Sequence, residues 1–419
     1  MTQFTPGPLD LRRRRRPGAL LSVALLAALL AAALLAAAPL AAQETYPPVT
    51  VDIAFIAHAR APAPPYVLDA APPGEGADGA KLALQDDSTT GAFLNQTFSL
   101  LDVELGKDDK PTDAAKPLLA QGIRLFVSAL PADETLALAD ALKSSGAILF
   151  NAGATDDSLR GVDCRSNLFH TAPSRAMLTD ALAQVLAVRR WSKVLLVPGP
   201  GDGDKAYAQA FRASAKKFGL KIAAEKPWTF GPLARARSDS ITEAAALIFA
   251  RGVEVDMIVV ADENADFGDY ILYRTAEPRL VAGTQGLAPT SWSPTHTAYG
   301  AEQLQNRFIR MAKRRMRPID YQAWMAVRAI GEAVTELRAS DPAKISADMK
   351  KPTFNLAIFK GLAASFRPWN QQLRQGILLA QPMSLVALAP LPEFLHQYNT
   401  LDTLGADREE SACPLKATP

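Results

Sequence analysis

The residues able to do chemistry in this 419-residue chain form few local groupings. His58, His170, His296 and His396 share no HxxxH or HxH spacing, so a histidine metal site would have to be assembled wholly in three dimensions. Cys164 and Cys413 belong to no CxxC pair, which removes thiolate zinc and iron–sulfur sites. No GxSxG nucleophile motif occurs. Gly199-Pro200-Gly201-Asp202-Gly203-Asp204 imitates a phosphate or calcium loop. It lacks both the Gly-Lys-Ser/Thr ending and the terminal bidentate Glu, and reads as a helix start with an Asp cap. What remains suits recognition rather than turnover: Ser128 and Asn151, Asp262 beside Glu263, Arg175, Trp292, and Arg367 next to Trp369 across Pro368. Guanidinium groups fork onto carboxylates and indoles offer stacking faces. Trp191 and Trp324 fall inside helical stretches and read as core.

The elements that must hold these residues follow an N-terminal targeting segment. Arg12 to Arg16 precede an Ala/Leu run from Ala19 to Ala38 and the small-residue zone Pro39-Leu40-Ala41-Ala42, the pattern of a signal peptide over residues 1–42. An uncleaved anchor is the alternative, since the run is long enough to span a bilayer. Five of the 45 bases and one of the 43 acids lie there, so the remainder carries 40 bases against 42 acids. A broad basic field for nucleic acid is therefore disfavoured. The mature chain, read as exported and not membrane-inserted, is 48% hydrophobic as part of the whole and long enough for more than one core. In an oxidising compartment the two cysteines read as a Cys164–Cys413 disulfide, with two free thiols as the alternative.

From Pro48 onward, short β-branched runs alternate with amphipathic stretches. Strands are expected at 49–56, 98–104, 125–128 and 147–150, with helices at 78–88 (ended by Thr89-Thr90-Gly91), 114–121 and 133–144. A second series begins after residue 170, with helices at 177–189, 205–218 and 240–250 and strands at 194–197, 221–224, 257–261 and 279–282. Such βα alternation predicts an α/β fold of two doubly wound parallel-sheet lobes joined by crossover hinges. Two further helices, 299–313 and 321–337, exceed the needs of the second sheet, and one or both are expected to return to the first. The expected division is 48–172 plus 293–370 for lobe 1, 173–292 plus 371–405 for lobe 2, and 406–419 as a tail. Ligands of open parallel sheets sit beyond the carboxyl ends of the strands, which selects the loops carrying Ser128, Asn151 and Asp262.

The order of elements and several motifs resemble the periplasmic solute-binding proteins of ABC importers, of the branched-chain amino-acid type with the type I periplasmic binding fold. The motifs are Gly79-Ala80-Lys81-Leu82-Ala83-Leu84, Ala114 to Ser128 and Phe169 to Leu186. Leu149 to Ser158, Asp262 to Arg274, Val281 to Gly286, Gly300 to Phe308 and Ser365 to Ala380 are similar to the subfamily associated with PQQ-dependent alcohol dehydrogenase systems, where Cys164 and Cys413 also fit the usual pattern. The resemblance implies a periplasmic receptor with an inner-membrane ABC permease as partner, no enzyme activity and no required cofactor. Its implied ligand is linked to quinoprotein alcohol oxidation, with PQQ leading. PQQ is flat and carries three carboxylates, for which Arg175, Arg367, Trp292 and Trp369 are the candidate contacts. In an amino-acid receptor, Ser128 and Asn151 would serve a carboxylate and Asp262 or Glu263 an ammonium, although Ala129-Leu130-Pro131 departs from the family's small hydrogen-bonding residues. A sensor feeding a membrane kinase uses the same fold and closure.

Overall fold

The computed structural model describes residues 46–60, 70–230, 249–272 and 274–415. The expected signal peptide and most of the helix expected at 240–250 lie outside them. Five parallel strands, β1 (Val49–His58), β2 (Gln96–Leu105), β3 (Leu125–Ala129), β4 (Ile148–Asn151) and β5 (Leu168–His170), form a sheet in the order β2-β1-β3-β4-β5. The sequence reason is visible in β1. Val51, Ile53 and Phe55 enter one apolar cluster, while Ala54 and Ile56 enter the cluster on the opposite face. A strand buried on both faces reads as a continuous apolar run, which is why Ile53-Ala54-Phe55-Ile56 lacks polar alternation.

Helices α1 (Ala77–Leu94), α2 (Pro111–Ala120) and α3 (Ala132–Lys143) connect these strands. Two boundaries differ from the sequence expectation. Helix α1 does not stop at Thr89-Thr90-Gly91: Thr89 Oγ1 bonds back to the Gln85 carbonyl (2.9 Å), and the left-handed cap falls instead at Asn95 (φ 56°). Gly91 serves contact rather than termination, because a Cβ there would lie 2.8 Å from the Gln96 carbonyl oxygen and 2.9 Å from the Phe98 ring. Helix α2 begins at Pro111 and carries Pro117 in its interior, not near its first turn. Pro117 sits on the exposed face, where water can satisfy the carbonyl that its ring leaves unbonded.

Four more parallel strands, β6 (Lys193–Pro198), β7 (Lys221–Glu225), β8 (Met257–Ala261) and β9 (Leu280–Gly283), form a second sheet in the order β7-β6-β8-β9. Helices α4 (Arg175–Val188) and α5 (Asp202–Lys217) cover one face through Leu182, Leu186, Tyr207 and Phe211. Trp228, Phe267 and Ile271, the last in the short helix α6 (Gly268–Ile271), cover the other. A small antiparallel sheet of β10 (Ala288–Thr290), β11 (Ile377–Gln381) and β12 (Ser384–Ala389) adds Ile377, Leu379 and Ala389 to the second core.

Helices α7 (Ala301–Ala312), α8 (Pro318–Leu337) and α9 (Pro342–Met349) lie in sequence between the two hairpin-sheet segments, yet their buried residues belong to the first core. Helix α8 lies against α1 at very short range. A Cβ on Gly79 would fall 1.8 Å from the Asp320 carbonyl oxygen, so only glycine fits there. The chain thus crosses between the sheets at His170–Ser174, near Thr290–Trp292, and again near Gln371–Gly376.

Candidate functional site

Each sheet winds outward from its first strand in one direction and then in the other, so each has a switch point where adjacent loops diverge. In the first sheet this lies between β1 and β3; in the second, between β6 and β8. Ligands of such sheets occupy the crevice outside the carboxyl ends at that point. Ser128 stands at the first switch, in register with Ile56 on one side and Asn151 on the other. It is fully buried, and its Oγ has no hydrogen-bond partner.

Asn151, at the end of β4, is engaged by its own loop. Its Oδ1 accepts from the backbone N–H of Gly153 (3.0 Å) and Ala154 (2.8 Å), and its Nδ2 donates to the Ala154 carbonyl (2.8 Å) and to His170 Nδ1 (3.2 Å). Burial, aided by the charge of Arg160, holds His170 well below the ordinary imidazole range, so it is neutral. Asp262, at the second switch, behaves similarly: its Oδ1 accepts from Asp266 N–H (2.9 Å), and its Oδ2 from Phe267 and Gly268 N–H (2.7 Å each). Both side chains shape loops at the crevice by satisfying backbone donors.

Arg175 opens α4 immediately after the first crossover. Its Nε and Nη2 each donate to Glu263 (2.7 Å), and its Nη1 pairs with Asp156 (2.8 Å). Burial alone would lower this guanidinium, but the two carboxylates outweigh it and raise its pKa. Asp156 follows β4 and Glu263 follows β8, so the arginine joins the loops of both sheets. Glu263 in turn lies over the start of α5: its N–H donates to Asp204 Oδ1 (2.7 Å), and a Cβ on Gly203 would meet its Oε2 at 2.4 Å. Asp204 accepts from Gly201 N–H (2.9 Å), the Asp cap expected of this helix-start loop.

The other three residues lie apart from this centre. Trp292 is buried in the first core, stacked on Tyr321 (4.6 Å between centroids), and donates to Gln305 Oε1 (3.1 Å). Arg367 is only 1% exposed; its Nε donates to Asp402 (2.8 Å) and its Nη2 to the carbonyls of Leu401 (3.0 Å) and Leu404 (2.7 Å). Trp369 is buried, with the guanidinium groups of Arg367 (5.7 Å) and Arg374 (5.1 Å) near its ring and no partner for its indole N–H. Cys164 and Cys413 are joined as a disulfide.

Sequence reading gave no role to Tyr207, nor to Asp156, although Asp156 closes the Asn151 loop that it selected. Tyr207, on α5, is buried with its hydroxyl unpartnered, and burial together with the charge of Glu263 raises its pKa. Asp156 could have been found from its place at the end of the Asn151 loop; Tyr207 belongs to the second core, and its nearness to the charge of Glu263 leaves no sequence signal. Among the described residues, no group of three or more His, Cys, Asp or Glu could hold a metal ion, and no helix is long and apolar enough to cross a membrane.

Residues 69–384 match the model of a family described as periplasmic binding protein. The chain belongs to that family. No curated protein matches it. Among solved structures, this periplasmic binding protein is similar to a branched chain amino acid ABC transporter periplasmic ligand-binding protein from Burkholderia xenovorans. Their TM-score is 0.68 at 16% identity, over 88% of this chain and 100% of that one. A periplasmic binding protein from Burkholderia mallei gives 0.63 at 16% identity, over 88% and 99%. A branched-chain amino acid transporter substrate binding protein from Streptococcus pneumoniae, in complex with isoleucine, gives 0.58 at 17% identity, over 81% and 98%. These likenesses establish the fold.

Proposed function

We propose that this periplasmic binding protein is the exported receptor of an ABC importer, freed of residues 1–42, that captures a small molecule between its lobes without turnover and delivers it to a permease. The carrying observation is the pair of switch-point crevices, one per sheet, bridged by Arg175 through Asp156 and Glu263. The lobes in this reading are 48–172 with 293–370 and 173–292 with 371–405, and 406–419 is a tail. Closure would exclude water and strengthen each charge-assisted bond to the ligand. Ser128 and Tyr207, buried with unpartnered hydroxyls, are the groups best placed to gain a partner from a ligand.

For the ligand we favour PQQ and a link to alcohol oxidation, a reading supported by the sequence motifs rather than by the charges of the site. Arg175 already serves two carboxylates and Arg367 serves Asp402, so a tricarboxylate must take Arg175 from Glu263 and Asp156. A second reading is favoured by those same acids: the ammonium of an amino acid would complement Glu263, with Ser128 toward its carboxylate. Calorimetric titration of purified protein with PQQ and with a panel of L-amino acids separates the two. Saturable micromolar binding of PQQ alone supports the first; tight binding of an amino acid without PQQ binding replaces it. Binding of neither, with native mass spectrometry showing no retained small molecule, overturns both.

A further inference from the structure

The C-terminal segment is fastened to both sides of the hinge. On the second-lobe side, Leu401 and Leu404 are buried. Gln184 of α4 donates to Thr403 Oγ1 (3.1 Å), Gly405 N–H donates to Asp180 of α4 (2.8 Å), and Lys217 of α5 donates to the Gly405 carbonyl (3.1 Å). On the first-lobe side, Cys413 is bonded to Cys164, which lies in the stretch running along edge strand β5; Asn167 of that stretch donates to the Ala139 carbonyl of α3 (2.8 Å). Between the two, Arg367 adjoins Phe366 of the first core and reaches into the segment at Asp402, Leu401 and Leu404. Arg374, next to the third crossover, grips the same Asp402 (2.9 and 3.0 Å).

Only seven residues separate the Gly405 anchor from Cys413. They are not extended, for Ser411 N–H closes a turn onto the Asp407 carbonyl (2.9 Å). A cavity of about 190 Å³, lined by Arg160, Ser174, Asn370, Gln372, Glu410 and Ser411, separates this turn from the first and third crossovers. The segment is held at Ser411 and Cys413, which are buried, and through Asp407 to His396 (3.0 Å) and Glu410 to Lys217 (3.8 Å), but its turn at 408–410 is exposed and supplies slack.

We propose that Thr400–Cys413 is a fourth covalent connection between the lobes, a strap whose length limits how far they can open. The eight residue-to-residue steps from Gly405 to Cys413 span at most roughly 26–29 Å when fully drawn out, and the turn supplies the travel. The strap rests on the reading of a cleft that opens, and it adds a mechanical stop to three ordinary crossovers. Its buried Arg367–Asp402–Arg374 cluster anchors the second-lobe end at the hinge, so the travel is taken up between Gly405 and Cys413.

The test places spin labels on non-cysteine residues at the exposed crevice-side positions Asp133 and Asp202 and measures their separation by pulsed electron resonance in ligand-free protein. Three forms are compared: wild type, Cys164→Ser with Cys413→Ser, and a chain with six Gly/Ser residues inserted between Arg408 and Glu409. The insertion keeps the disulfide and lengthens the strap by up to roughly 20 Å, so it separates reach from stability. The expected result is a shift toward longer separations in both altered forms. If wild type opens but neither altered form opens further, the strap falls and the receptor reading stands. If all three hold one short separation, the strap falls together with lobe closure.

Discussion

At the scale of single residues, the polar side chains at the ends of strands are already engaged, with the exception of Ser128. Asn151 and Asp262 satisfy backbone donors, and Arg175 satisfies two acids. Arg175→Ala should thus have two effects: ligand affinity falls by roughly 1.5–3 kcal/mol, about ten- to hundredfold, and thermal stability falls because Asp156 and Glu263 lose their counter-charge. Calorimetry and a melting curve on the same sample read the two separately. Arg367→Ala should chiefly destabilise, by about 3–5 kcal/mol, because it strands the buried Asp402 beside Arg374 alone; urea unfolding checks this. A different residue governs pH dependence. Asp87, on α1 against Arg328 of α8, has its pKa pushed up from 3.8 to about 7 by burial, with Arg328 opposing. A carboxyl held more tightly protonated in the folded state favours folding in acid, and that contribution is lost as pH rises from about 4 to about 7. Asp87→Asn should flatten this decline, measured as unfolding free energy at pH 5 against pH 7.5; an unchanged slope would assign the decline elsewhere.

At the scale of elements, the helices were legible because their apolar period persists over several turns, and the central strands because they are continuous apolar runs, as in 257–261, where every residue is buried and expected and observed strands coincide. The short pieces were not: β5 and β10 have three residues each, too few to show a period. The loop positions of Ser128, Asn151 and Asp262 were legible from where strands end. Their hydrogen bonds were not, since the partners are backbone groups whose direction depends on loop geometry. Nor was the pairing of Arg175 with Glu263, which lies 88 residues away. Close helix contact was equally hidden. Gly79→Ala should cost more than the ordinary 1–3 kcal/mol of overpacking, because the obstacle is the α8 backbone rather than a movable side chain. Ala80→Gly, one position along α1, should cost about 1 kcal/mol from helix propensity plus the loss of a buried methyl. Denaturant midpoints compare the two.

At the scale of the whole molecule, the disulfide closes a sequence separation of 249 residues. Replacing both cysteines by serine should lower unfolding free energy by roughly 2–5 kcal/mol, readable by chemical denaturation with the ligand-free wild type as reference. The interleaved path of the chain has another outcome, for the order in which the protein can be made. The first core needs α8 and stretches as late as Leu373, and the second core needs β11, β12 and Leu404. One face of each sheet is covered from a contiguous stretch, 54–168 for the first and 195–281 for the second, but neither half can complete the core on its other face until nearly the entire polypeptide has been synthesised, so folding cannot finish domain by domain behind the ribosome as it does for beads on a string. The newly made chain therefore keeps one apolar face of each sheet uncovered until its last residues arrive, a state short of the native fold that a translocation channel can thread and that a chaperone must shield.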